Sequence, residues 1–191
     1  MHAGARGPSP GRLPAVRRAF ALHAYGDRRG RLGQAIAALG STYLRHGVVR
    51  PNCDPMVFNM NEPLLAGGYH HGRQLDRFTP EGLSAVLAGL PEERVWQSVP
   101  QADRFEALAM SEYALSGRIV ALYCLRSSIA WQLGMGERVP ARALADLGEQ
   151  IDRIAGQFRT LWLARNKPSR LIDNMRLFRS RSAEARKLAR N

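Results

Sequence analysis

Between positions 144 and 161 the large apolar residues fall at Leu144, Leu147, Ile151, Ile154, Phe158 and Leu161. Steps of three and four put all six on one side of a helix. Asp146, Glu149, Gln150, Asp152, Arg153 and Arg159 lie between them, so the opposite face is solvated. A one-sided apolar seam needs helices packed against it, and the patterns elsewhere supply them. Residues 101–133 begin amphipathic, with Phe105, Leu108 and Glu112, and from Tyr113 become apolar nearly all round, interrupted by Arg118 and Arg126. A helix of that kind sits in the middle of a bundle, and Gly134-Met135-Gly136 ends it.

Leu32, Ile36, Leu39 and Tyr43 share one face of a helix expected over residues 32–45, stopped at Gly47. Thr79-Pro80-Glu81 gives a cap, a first-turn proline and an acid in the order that starts a helix. Leu83, Val86, Leu87 and Leu90 then line its buried face, and Pro91 ends it. A short helix from Asp54 to about Leu65 is limited by Pro63. Residues 66–78, with Gly67-Gly68, His70-His71 and Gly72, read as an exposed loop. Ser169 is the expected cap of a last helix in which Leu171, Ile172, Met175 and Phe178 face inward. No segment alternates apolar and polar residues at strand spacing between turn signals. The expected fold is all-α, an irregular bundle of about five or six helices around a central apolar helix, with flexible basic termini. Residues 1–19, punctuated by Gly4, Gly7, Pro8, Pro10, Gly11 and Pro14, read as a disordered leader or linker. Residues 20–178 form the helical domain, and 179–191 a basic tail that frays.

The formal net charge of +12 has the sign expected of a partner for nucleic acid or an anionic surface. Its distribution changes that picture. Residues 1–31 carry seven Arg against Asp27, residues 165–191 carry nine Arg or Lys against Asp173 and Glu184, and residues 32–164 net −1. The body is neutral and the basicity terminal. Lys167 and Lys187 are the only lysines, and the Arg excess travels with abundant Ala and Gly, as codon bias in a GC-rich genome produces. The tail positions Arg176, Arg179, Arg181, Arg186, Lys187 and Arg190 could neutralise phosphates. Few aromatics are interleaved with them and no helix-turn-helix signature stands out, so a solvated tail is the simpler reading and nucleic acid is not the expected partner. Cys53 and Cys124 are too few for a disulfide scaffold or a Cys-x-x-Cys metal site and read as buried thiols in a reducing compartment. No apolar run reaches the roughly 18 residues a bilayer span needs, and prolines at 8, 10 and 14 interrupt any signal-peptide core. A soluble, cytoplasmic chain without a membrane partner is expected.

Candidate chemistry is sparse. Phe58-Asn59-Met60-Asn61-Glu62-Pro63 resembles the Asn-Glu-Pro tripeptide of several retaining β-glycosidases, whose Glu is the acid/base at the end of a barrel strand. That chemistry requires a second carboxylate about 5 Å away and a barrel of roughly 250 residues to hold both. This chain has neither the length nor the strands. Glu62 is thus an acid/base candidate on the tripeptide alone, and the simpler reading is that Glu62-Pro63 closes a short helix. The histidines, His2, His23, His46, His70 and His71, have no metal-ligand spacing and read as exposed loop residues. Gly67, Gly68 and Gly72 form no phosphate-binding pattern, and Ser127-Ser128 lacks a nucleophile-elbow context. No catalytic set, metal site or cofactor is expected.

Phe158-Arg159-Thr160-Leu161-Trp162-Leu163-Ala164-Arg165-Asn166-Lys167-Pro168 resembles the aromatic-x-x-Leu-Trp-Leu-x-Arg-Asn-(Arg/Lys)-Pro stretch of family 20-like glycoside hydrolases, the β-N-acetylhexosaminidase type of GC-rich bacteria. In those proteins the stretch lies in a C-terminal helical region. Tyr25-Gly26-Asp27 before a helix, and Leu39-Gly40-Ser41-Thr42-Tyr43 followed by Gly47-Val48 and Pro51-Asn52, echo the same region in the same order. Ser169-Arg170 stand where such relatives usually have Gly-Gly, so the turn there is expected to differ. The resemblance implies a sugar-cleaving lineage without making this chain a catalyst. The family's acid/base Glu and the neighbouring Asp that holds the substrate's acetamido group lie in a barrel that would precede residue 20. What it implies is a non-catalytic helical accessory domain or fragment, partnered by a (β/α)8 glycosidase barrel in cis or trans. Trp162, Arg165 and Asn166 would then fix the helix end or the contact with that barrel. The competing reading has Trp162 filling this domain's own core and Arg165 bonding its own helix terminus. The alternative function is a freestanding helical module that binds nucleic acid or another anionic partner through its basic termini.

Overall fold

The computed structural model describes residues 13–48, 60–64, 78–98 and 103–191. Among them are seven α-helices and no strand: α1 (Leu13–Tyr25), α2 (Arg31–Gly40), α3 (Pro80–Ala88), α4 (Arg94–Gln97), α5 (Arg104–Gly134), α6 (Ala141–Arg165) and α7 (Leu171–Arg190). A 3-10 turn over Thr42–Leu44 follows α2.

The apolar helix α5 is central, as its sequence implies. Asp103 caps it, its carboxylate accepting from the backbone N–H groups of Phe105 and Glu106 at 2.7 and 2.9 Å. Two of the donors that every helix start leaves open are thereby satisfied. Three sets of core residues meet along α5. Near its start, Met110 packs with Leu32 and Ala35 of α2 and Trp96 of α4. Farther on, Cys124 meets Phe78 and the α3 residues Leu83 and Val86. The largest set joins Leu115, Leu122 and Ile129 to α6 and α7. A helix with partners on several sides has no wet face to spare, which is why its sequence loses amphipathic contrast.

The seam on α6 is buried at Leu144, Leu147, Ile151 and Ile154, with Phe158 and Leu161 packed at the edge of the same core. Helix α7 covers it. Gly148 permits the close approach, since a Cβ there would lie 3.1 Å from Arg186 Cγ and 3.3 Å from the Ser182 carbonyl oxygen. The start of α3 also follows its sequence, Thr79 Oγ1 accepting from the Gly82 N–H at 3.1 Å with Pro80 in the first turn.

Both ends differ from expectation. Residues 13–19, assigned by composition to a leader, belong to α1. Ala21 faces α2, and Gly33 comes so close that a Cβ on it would stand 2.6 Å from the Arg17 carbonyl oxygen. Leu13, Val16 and Phe20 point the other way, into solvent. A helix that packs through small residues and exposes its large apolar ones gives no core signal in sequence. The same cause hides the second half of α7, which stays helical to Arg190 instead of fraying from Arg179. Its buried positions are Ser182 and Ala185, with Ala189 at the edge of the core, a stripe of small residues at steps of three and four.

Three residues expected inside, Tyr43, Leu87 and Ile172, are exposed. For Tyr43 the reason is local. The Ser41 hydroxyl takes the Ala37 carbonyl at 2.8 Å and Thr42 Oγ1 takes that of Leu39 at 2.9 Å, so α2 stops at Gly40 and the chain turns off its face. Ser169 does not cap α7. Arg170 occupies that position in the left-handed region, at φ 65, with no side-chain cap bond.

Candidate functional site

The motif residue Glu62 lies in the segment 60–64, where Met60, Glu62 and Leu64 are all buried. Three successive carbonyls of this segment are taken up by arginines from distant helices. Arg181 of α7 donates from Nε to the Met60 carbonyl and from Nη2 to the Asn61 carbonyl, both at 2.8 Å. Arg126 of α5 donates from Nη2 to the Glu62 carbonyl. Glu184 of α7 completes the set. Its Oε1 accepts from the Leu64 N–H at 2.6 Å, and its Oε2 lies 3.3 Å from Arg181 Nη1 and 3.6 Å from Arg126 Nη2.

Arg126 has a side-chain exposure of 0%. Burial pushes its guanidinium down to about 10, Arg181 pushes in the same direction, and the charges of Glu184 and Glu62 oppose them. It remains a cation at neutral pH. Two arginines and two glutamates therefore form a charge-balanced cluster that fixes segment 60–64 to α5 and α7, its charge-assisted bonds being stronger than neutral ones. A general acid or base must meet its substrate within hydrogen-bond reach, whereas Glu62 is 7% exposed. The arrangement is suited to holding chain in place. Of its four members the sequence singles out Glu62 as an acid/base candidate and Arg181 as a cation of the solvated tail, whereas Arg181 donates to the Met60 and Asn61 carbonyls. The available signal for a further member was Arg126, a charge inside an otherwise apolar run, since a cation there has to be paired.

Trp162, Arg165 and Asn166 all sit at the end of α6. The Trp162 indole N–H donates to the Lys167 carbonyl at 2.9 Å, and its ring lies 5.5 Å from that of Phe158. The Asn166 N–H returns to the Trp162 carbonyl at 2.7 Å. Arg165 forms a two-pronged pair with Glu112 of α5, Nε to Oε1 at 2.8 Å and Nη2 to Oε2 at 3.0 Å. Trp162 and Asn166 also line a small opening of about 170 Å3 between α5 and α6.

His46 is buried, not an exposed loop residue. Its Nδ1 accepts from the Val48 N–H at 3.1 Å and its ring meets Phe78 edge-on at 4.9 Å. His23 is exposed. His2, His70, His71, Cys53, most of the residue 54–65 helix and the glycines at 67, 68 and 72 lie outside the described residues. Cys124 is a buried thiol, and Ser127, three residues on, is buried as well. Among the described residues no group of three or more His, Cys, Asp or Glu is placed to hold a metal ion, and no helix is long and apolar enough to cross a membrane.

Two tyrosines meet between α1 and α5. The hydroxyls of Tyr25 and Tyr113 are 3.4 Å apart, and Trp96 stacks on Tyr113 at 5.4 Å. Burial first, then the bond to Tyr25, pushes Tyr113 up to about 12. The folded chain thus keeps this proton to higher pH than the unfolded chain, whose tyrosines titrate near 10. The contribution to stability is whole below pH 10 and lost as pH rises to about 12. Arg126, depressed to about 10, acts in the opposite sense over the same window. The comparison is therefore between wild type and Tyr113→Phe in urea unfolding from about pH 9 to 11.5. Wild type is expected to lose stability relative to the variant as pH rises, and parallel curves would contradict the assignment.

Compared with protein-family models, with curated proteins and with solved structures, the chain has no match in any of the three.

Proposed function

We propose that this chain is a non-catalytic helical accessory region of a β-N-acetylhexosaminidase-type glycoside hydrolase, working with a (β/α)8 barrel in cis or trans. The observation that carries the reading is where the family-like residues sit: at the ends of helices. In Tyr25-Gly26-Asp27, Gly26 turns the chain at φ 65, and the Asp27 carboxylate accepts from the Arg29 and Leu32 N–H groups at 3.1 and 2.7 Å. Ser41 and Thr42 close α2, while Trp162 and Asn166 close α6. Arg170, in the place of the relatives' second glycine, adopts the left-handed conformation that glycine takes without steric cost. Residues that set helix directions are what a scaffold shares with its relatives.

The surface of α1 supports the same reading. Leu13, Val16 and Phe20 form an exposed apolar stripe, and α1 contains Arg17 and Arg18 but no acidic residue. A second copy docking there would set like charges against each other. An apolar patch with an acidic rim on a barrel would not.

The experiment is hydrolysis of a chromogenic N-acetylglucosaminide by the chain alone and with a barrel of this type expressed without its helical region. No turnover is expected from the chain alone. Adding it is expected to raise the barrel's activity or thermal midpoint, and Phe20→Asp to abolish that effect without changing the chain's helical content. Turnover by the chain alone, abolished by Glu62→Gln, would overturn the proposal.

A further inference from the structure

We infer that the opening between α1 and the start of α2 binds a phosphate group carried by a small soluble molecule, because three arginines with no carboxylate partner among the described residues converge on it and no described acidic residue lines it. The opening measures about 450 Å3, inside the range of small-molecule sites. Arg17 and Arg18 of α1, Arg29 of the turn and Gln34 of α2 line it, together with Pro14 and Gly30. Leu13, Val16 and Phe20 do not. The inference therefore stands without the accessory-region reading, and either can fail alone.

The local sequence brings the three arginines together. Pro14 and Ala21 are seven residues apart on α1 and share one helix face. That face meets α2, where Ala21 is fully buried beside Gly33. Arg17 and Arg18 fall on either side of the line joining Pro14 to Ala21, so both flank the crossing. Gly30 leads the chain into α2 at φ 67, and a Cβ on it would stand 3.3 Å from Arg18 Cγ. The stem of Arg18 thus lies over Gly30, while Arg29 reaches the same opening from the turn. An Arg-rich composition accounts for the number of these residues but not for their meeting at one place.

The charges around the opening favour a dianion. Arg94, Arg118, Arg165 and Arg186 end on carboxylates, and among the described residues Arg17, Arg18 and Arg29 do not. Asp27, the acid of the turn, directs its carboxylate to the Arg29 and Leu32 N–H groups. Glu92 lines the next opening along α2, where it pairs with Arg94. With Asp27 counted in full, three cations less one anion leave +2, the opposite of a phosphate dianion. Arg28 and Arg31, adjacent in sequence, add charge of the same sign. A guanidinium presents a planar fork that pairs two-pronged with phosphate oxygens. The tetrahedral group offers those oxygens in several directions, which suits forks arriving from two helices and a turn, and the Gln34 amide supplies a neutral donor beside them.

The test is titration of the 15N-labelled full chain with inorganic phosphate and with pyrophosphate at fixed ionic strength, following the backbone amide resonances of Arg29 and Gly30. Both are expected to shift saturably with millimolar half-saturation, while the amide of Gly148 on α6 stays in place. Arg18→Gln is expected to raise the half-saturation about tenfold, the loss of one charge-assisted bond. Arg29→Gln keeps the backbone bond to Asp27 and should do the same, which leaves the test open if Arg18→Gln perturbs the crossing; thermal midpoints report on the fold of both. Replacing Arg179, Lys187 and Arg190 of α7 by alanine removes as many charges and should leave the half-saturation unchanged. No saturable shift up to about 50 mM phosphate, unchanged binding in both arginine variants, or equal weakening in the α7 variant overturns the inference. Succinate binding as tightly as phosphate would overturn the assignment to phosphate. A response to phosphatidate-containing vesicles or to a DNA duplex, but to neither soluble probe, would also overturn it.

Discussion

Replacing Arg126 with methionine is expected to lower the unfolding free energy by about 3 kcal/mol. For a chain of this size that moves the thermal midpoint down by roughly 6–12 °C. Methionine restores most of the apolar stem but not the charge. The Glu62 carbonyl then loses its donor, and Glu184 loses one of two neighbouring cations. The loss belongs at the lower end of the range for broken buried pairs because Glu184 keeps Arg181 and the Leu64 N–H. Arg118→Met is the control. Its pair with Glu93 is solvated on both sides, so its removal should cost less than about 1 kcal/mol. Urea unfolding gives both values. Faster proteolysis near residues 60–64 in Arg126→Met alone would show that segment coming loose, and equal stability of the two variants would mean that the cluster does not hold it.

The parts of the fold that were legible in sequence are those where large apolar residues face a partner. The α6 seam, the all-round apolarity of α5 and the Thr79 cap each depend on neighbours within one or two turns, and the described helices place them as the pattern implied. The parts that were not legible depend on small residues or on distance. Ala21 against Gly33, and Ser182 and Ala185 against α6, join helices without large side chains. The surroundings of Glu62 are set by Arg126, 64 residues later, and by Arg181 and Glu184 more distant still. A local motif such as Asn-Glu-Pro carries no information about those partners, so it can propose an acid/base residue where the fold builds a cluster that holds chain. For Arg165 the sequence left two readings open, contact with a partner or with its own terminus. Its fork on Glu112 is a third, a tie between α6 and α5.

Ending the chain at Arg179 is expected to remove most of its stability, more than about 5 kcal/mol, the lower end of what whole domains possess. The lost half of α7 supplies Arg181 and Glu184 to the cluster on residues 60–64, and Arg186 to Asp152. It also uncovers part of the α6 seam, where each of Leu147 and Ile151 left bare forgoes about 1.5–3 kcal/mol. Circular dichroism should fall by more than the share of the removed residues, and limited proteolysis should attack α6. This outcome also governs any test of anionic partners. Loss of polyanion binding on truncation would confuse lost charge with lost fold. The separating variant is the triple replacement of Arg179, Lys187 and Arg190 by alanine, all three side chains being exposed. It should keep the wild-type midpoint, whereas Arg181 and Arg186 are committed to contacts within the chain. Steeply salt-dependent polyanion binding that disappears in the triple variant would favour the basic-terminus module over the accessory region. A 1–179 chain that unfolds at the full-length midpoint would instead make the second half of α7 the solvated tail that its composition first indicated.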